Sequence, residues 1–166
     1  NIWVGHDQEV FQPYWLDPKK LKDFDWTQSK YFVTSISCPF ILIKDFTIPK
    51  YKEFIKHAKK YANVKVAVIG RDRNILKHQQ LRVRKGKYTT PTFLQHMKAL
   101  DEPVFVSQEL FFLYGTDYLK SVSKQLDFPI STGTYIKNLS KHEANKKYIK
   151  KAERGKFDKY QFKINH

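Results

Sequence analysis

"VKVAVIGRDRNILKHQQLRVRKGKY", residues 64–88, begins as a strand and ends as a row of cations. Val64, Val66, Ala67, Val68 and Ile69 give it the apolar run of a buried strand at 64–69, and Gly70 allows a sharp exit. From 71 to 87 stand Arg71, Arg73, Lys77, Arg82, Arg84, Lys85 and Lys87, with only Asp72 to offset them. The second half reads two ways. "RNILKHQQLRVRK" fits one helix, or a helix followed by a strand "QLRVR", in which Arg82 and Arg84 would share a face because strand side chains alternate.

Upstream, "TIPKYKEFIKHAKKYA" (47–62) predicts a helix with Thr47 as its cap and Pro49 in its first turn. Tyr51, Phe54, Ile55, Ala58 and Ala62 recur at helical spacing and face a core. Lys50, Lys52, Lys56, Lys59 and Lys60 fill the remaining, solvated face. The strand–helix–strand order favours a mixed or parallel sheet. Nearer the start, "NIWV" reads as a strand ending at Gly5, and "DPKKLKDF" as one or two helical turns. "KYFVTSISCPFILIKDF" (30–46) gives two strands, or one bulged at Pro39.

Downstream, Pro91 opens a helix through Leu100 and "PVFVS" is a short strand. "QELFFLYGTDYLKSVSKQLDF" forms one or two helices, with Ser107 and Thr116 as caps and a break at Gly115. "PISTGTYIKNL" is extended, and a helical run follows from Ser140 to Glu153. The expected fold is α/β: a single core domain (1–139) with a mixed sheet flanked by helices, and a basic, partly helical C-terminal extension (140–166).

The 166 residues are 41% hydrophobic and 16% aromatic, enough to fill a core and too apolar for a disordered chain. The net charge of +15 is the outlying quantity. Such self-repulsion is retained for an anionic partner, and nucleic acid is the expected one, DNA or RNA. No run of 18 apolar residues exists, so no segment reads as a membrane span. Cys38 is the only cysteine, which precludes an intrachain disulfide and fits a reducing, intracellular setting, cytoplasmic or nucleoid-associated. The chain opens on Asn1 without methionine, as a piece of a longer protein would.

Three groups of residues carry candidate chemistry. In α/β sheets, ligands sit beyond the carboxyl ends of strands, where "VAVIG" delivers Arg71 and Arg73. Arginine offers a planar fork that matches phosphate oxygens, and Tyr88 can stack on a base. A second basic region, Lys137 to Lys163, holds Lys146, Lys147, Lys150, Lys151 and Arg154 with Tyr148 among them. Basic patches interleaved with aromatics suit nucleic acid. Third, "IWVGHDQEV" places His6, Asp7 and Glu9 directly after the first strand. There His6, Asp7 and Glu9 form a candidate catalytic set, Asp7 and Glu9 holding Mg²⁺ or Mn²⁺, and Asp23, Asp25 or Glu109 supplying a further ligand.

No GxxxxGK[ST], GxGxxG, HExxH or zinc-finger pattern occurs. "IWVGHDQEVFQPY" resembles the opening strand of nucleotide-sugar glycosyltransferases over about a dozen residues, without an Asp-x-Asp at the end of a later apolar strand. "LRVRKGKYTTPTFLQHM" resembles the strand–loop–helix with which acetyltransferases bind pyrophosphate, without that motif's second glycine. The leading expectation is a nucleic-acid-binding protein, in its catalytic form a metal-dependent nuclease or related processing enzyme. The alternatives are a transferase acting on a nucleotide-linked donor, as the two resemblances imply, and a non-catalytic ribonucleoprotein component.

Overall fold

Asp72 resolves the ambiguous stretch. Its Oδ1 accepts hydrogen bonds from the amides of Asn74 (2.9 Å) and Ile75 (3.0 Å), capping a helix that runs unbroken over Arg73–Val83. No strand follows inside it, so Arg82 and Arg84 do not alternate on a sheet face. The computed structural model of the protein describes residues 2–5, 12–42, 45–84 and 86–130. In chain order the elements are β1 (Ile2–Gly5), α1 (Gln12–Leu16), a 3₁₀ turn (Pro18–Asp23), β2 (Tyr31–Thr34), β3 (Phe40–Leu42) and β4 (Asp45–Thr47). Then come α2 (Tyr51–Ala58), β5 (Ala67–Gly70), α3 (Arg73–Val83), α4 (Thr90–Met97), β6 (Val104–Ser107) and α5 (Gln108–Leu126).

Helices and strands are both present, as expected of an α/β chain. The described strands pair two by two, however, and do not join in one mixed sheet. β1 lies parallel to β2, β5 parallel to β6, and β3 antiparallel to β4. The described residues divide into two compact units, one drawn from 2–66 and 91–103, the other from 67–90 and 104–130. The expected boundary at 139/140, the extended segment from Pro129 beyond its first two residues, and the helical run at 140–153 lie outside the described residues.

The first unit is built on aromatic packing. Trp15 of α1, Leu21 of the 3₁₀ turn, and Phe54 and Ala58 of α2 form its buried core, with Tyr14, Phe24, Trp26, Ile36, Tyr51 and Val64 packed against it. The Trp15 and Phe54 rings stack at 3.7 Å, an arrangement that adds about 1 kcal/mol to the area they bury. Trp26 Nε1 donates to the Leu21 carbonyl (3.0 Å) and its ring stacks on Tyr61. α2 buries the expected stripe but starts later than its sequence suggests. Lys50 stands at the cap position without a side-chain bond, Pro49 is fully buried ahead of the helix, and Thr47 ends β4. The Lys50 amide instead donates to the Trp15 carbonyl (3.0 Å), so tertiary contact, not a hydroxyl cap, fixes the start.

In the second unit, Val68 of β5 and Val122 of α5 are the buried apolar residues. Ser107 caps α5, accepting from the Leu110 amide (3.2 Å). α5 kinks at Gly115, whose φ of 51° lies in the left-handed region that glycine tolerates. Gly70, by contrast, does not need to be glycine: a Cβ there would meet the Val106 carbonyl oxygen at 3.8 Å, an ordinary contact.

Candidate anion site on the basic helix

The site begins where two parallel strands end side by side. Gly70 and Ser107 are register partners, and a helix starts just beyond each. A hydrogen-bond network ties the two starts together. The Asp72 amide donates to Glu109 Oε1 (2.7 Å), and Ser107 Oγ donates to Glu109 Oε2 (3.1 Å). The Ser107 amide donates to the Tyr118 hydroxyl (2.6 Å). Glu109 therefore serves the backbone of the strand exits. Asp25 spends Oδ1 on the amide and hydroxyl of Thr27. Those two bonds hold the Asp25 carboxyl below its ordinary value. Among the described residues no group of three or more His, Cys, Asp or Glu side chains could hold a metal ion. His6, Asp7 and Glu9 lie outside the described residues.

Helical spacing then sorts the cations. Arg73, Lys77, Gln80 and Arg84 follow one another by four, three and four residues and so share a face of α3. Arg82 stands nine residues after Arg73, about half a turn round, and is exposed on another side. Arg71, just ahead of the helix, donates from Nη1 to Gln79 Oε1. It is half-buried and fastens the strand exit to α3, so its charge has a structural partner as well.

The chain after α3 turns back onto that face. The Gly86 amide donates to the Leu81 carbonyl (2.8 Å), and Gly86 takes a φ of 82°. Gln80 then fastens the returning segment. Its Oε1 accepts from the Thr89 amide (2.9 Å), the Thr90 amide (3.2 Å) and the Thr90 hydroxyl (3.1 Å). All three residues are buried. Arg84 Nη1 donates to Thr89 Oγ1. This brings the Tyr88 hydroxyl into hydrogen bonds with Arg73 and Thr90, with the Lys77 charge acting on it as well. Burial pushes the Tyr88 phenol up, but the two hydrogen bonds and the two cations outweigh it and leave it below its ordinary value.

Arg73, Lys77 and Arg84 thus share the face onto which the Tyr88 segment returns, while Arg71 bonds to Gln79 on another side of α3. Lys87 is exposed in the returning segment. Lys85, Lys146, Lys147, Tyr148, Lys150, Lys151 and Arg154 lie outside the described residues. No family model, no curated protein and no solved structure matches the chain.

Charge counting missed the residues that shape the site. Gln79, Gln80, Thr89 and Thr90 are uncharged, and their role exists only because residues 86–90 fold back on the helix. Ser107 was legible as a cap. Glu109 and Tyr118, which serve the same junction, carry no local signal.

Proposed function

We propose that the chain binds nucleic acid through the cations of α3 and the segment 86–90 behind it. The placement of Arg73 and Lys77 carries this reading. Both are exposed, one turn apart, beside Tyr88 and at the carboxyl ends of a parallel strand pair, where open α/β sheets hold their ligands. Arginine forks match phosphate oxygens, lysine adds a point charge, and a half-exposed tyrosine ring offers a stacking surface. The Asp72 Oδ1 is engaged by two amides of α3. Lys146, Lys147, Lys150, Lys151 and Arg154 would extend the contact along the strand.

The catalytic form of the proposal is a metal-dependent nucleic-acid-processing enzyme, with Asp7 and Glu9 holding Mg²⁺ or Mn²⁺ and His6 beside them. A second reading is a transferase acting on a nucleotide-linked donor, in which Arg73 and Lys77, exposed one helical turn apart on one face of α3, would share a single phosphate group. In both readings the setting is intracellular, cytoplasmic or nucleoid-associated.

Salt dependence separates them. Affinity for a fluorescent oligonucleotide, titrated from about 50 to about 200 mM salt, should fall steeply, with a log–log slope of about −0.7 to −0.9 for each phosphate neutralised. Replacing Arg73 and Lys77 together by alanine should lower that slope by about two phosphates while the thermal transition stays in place. Absence of saturable binding at low salt, or an unchanged slope in the double variant, overturns the nucleic-acid reading. A single nucleotide ligand gives only a shallow slope.

A further inference from the structure

The first turns of α5 are apolar on the outside. Leu110, Phe112, Leu113 and Tyr114 are all exposed, Leu113 to 73% and Tyr114 to 64%. The run stops at Gly115, whose backbone leaves the helical region, and the exposed Thr116 and Asp117 follow. A helix that only had to cover its own unit would keep its apolar stripe inward. That inward side already exists: Phe111, Tyr118 and Leu119 are half-buried and Val122 is buried. Four further apolar side chains face outward within five positions, as on a surface that takes a partner.

Their place in the unit bears on which partner. The Asp72 amide donates to Glu109 Oε1 (2.7 Å), so α5 opens against the start of α3. Arg73 follows Asp72 directly and Lys77 stands one turn on, both exposed. Phe112 and Leu113 come three and four residues after Glu109, on the same side of α5, and Tyr114 is next round the helix. The half-buried Phe111 backs the Phe112 ring, with centroids 5.5 Å apart. Exposed cations and exposed rings thus rise from one junction, each within about one and a half helical turns of it.

Charge and chemistry sort the occupants. A second copy of the chain would bring its own net charge of +15 against the first. An anionic bilayer would meet Glu109 and Asp117, the carboxylates that bound the apolar run at either end. A duplex offers phosphates, but its base faces are already stacked on one another. A single strand offers phosphates and free, neutral base faces together, and aromatic side chains beside a cationic groove are how proteins take it up.

We infer that this junction binds single-stranded nucleic acid, with phosphates on Arg73 and Lys77 and unpaired bases against Phe112, Leu113 and Tyr114. This rests on the nucleic-acid reading above and names its ligand as single-stranded.

The test titrates the chain with one labelled oligonucleotide, alone and annealed to its complement, by fluorescence anisotropy. The single strand should bind at least about fivefold more tightly, as one stacked base supplies. Phe112→Leu with Tyr114→Leu keeps apolar bulk but removes both rings, and should bring the two affinities together. Tyr114→Phe keeps its ring and should keep the preference, which guards against a leucine variant that fails to fold. Equal affinities, or a tighter duplex, overturn the single-strand assignment and leave the nucleic-acid reading standing. A preference that survives the double leucine variant overturns the platform on α5. A dimer in sedimentation that Leu113→Lys dissolves gives this face to a second copy and overturns the inference. Binding to vesicles of phosphatidylserine and phosphatidylcholine, with none to either oligonucleotide, overturns both readings in favour of a lipid surface. Absence of binding to every probe overturns both as well.

Discussion

α2 and α3 are both crowded with cations, and they use them in opposite ways. In α2 an apolar stripe of Phe54 and Ala58, with Tyr51 and Ile55 beside it, is buried, and Lys52, Lys56, Lys59 and Lys60 are exposed in and just after the helix. The cations there are what an amphipathic helix leaves over once its core face is satisfied. In α3 the cation-bearing face is packed at Gln80, not by apolar side chains but by a returning segment pinned there, while Arg73 and Lys77 on the same face stay exposed. Similar composition therefore yields a solvated surface in one helix and a positioned cluster in the other. What separates them is the company a charge keeps within one turn and in the segment folded against it.

The comparison breaks most visibly at the core of the first unit. Phe54→Ala should cost about 4 kcal/mol, seen as a lowered urea midpoint, because it leaves a cavity against Trp15. If α2 were held by its charges, the loss would be small. In α3 the corresponding weak point is polar. Gln80→Leu keeps the volume but leaves the Thr89 and Thr90 amides and the Thr90 hydroxyl without their buried acceptor, at a cost of about 2 to 3 kcal/mol. A neutral result would mean that packing, not the amide oxygen, holds the segment.

Charge removal sharpens the contrast further. Arg73→Ala with Lys77→Ala, and Lys52→Ala with Lys56→Ala, each remove two positive charges. The first pair should weaken oligonucleotide binding about tenfold or more, and the second about twofold or less, in the same anisotropy titration. Equal losses would show that only net charge matters.

The smallest expected effect is a pH dependence. The Tyr88 phenol is held below its ordinary 10.0 in the folded state, so between the lowered value and 10.0 the folded chain binds fewer protons than the unfolded one. Wild-type stability relative to Tyr88→Phe should rise with pH through that window, be fully present above 10.0, and fade as pH falls below it. Paired urea midpoints measured across the alkaline range give the difference, and a flat difference would remove the cations' grip on the phenol.

Local chemistry made part of this legible in advance. The Ser107 cap, the break at Gly115 and the buried stripe of α2 were all written in adjacent residues, whereas the strand–helix–strand order around α2 did not give its sheet: β4 pairs antiparallel with β3, and β5 pairs with β6. The other strand placements were decided by partners. β5 begins at Ala67 and not Val64, matching the four residues that β6 offers it. "QLRVR" alternates well enough for a strand, yet the Asp72 cap and the contacts of residues 86–90 hold it as helix, since period two and period 3.6 are not separable over five residues. Of the site, the cations were visible and their sorting was not. No count of charges could reveal that Arg73 and Lys77 share the face onto which the Tyr88 segment returns while Arg82 faces elsewhere.

The Gln80 clamp also decouples shape from sign. Its side-chain oxygen accepts three hydrogen bonds without contributing a full negative charge, and Gln79 and Thr89 are likewise uncharged partners for Arg71 and Arg84. A carboxylate could make the same three bonds, so Gln80→Glu is an almost isosteric change with no evident steric reason to disturb the fold. It would nonetheless set an anion among Arg73, Lys77 and Arg84, dimming the field that, on the proposed reading, would draw phosphate in from beyond contact distance. By that logic, hydrolysis of one side-chain amide would age the protein into a folded form with a weaker pull on the proposed polyanion.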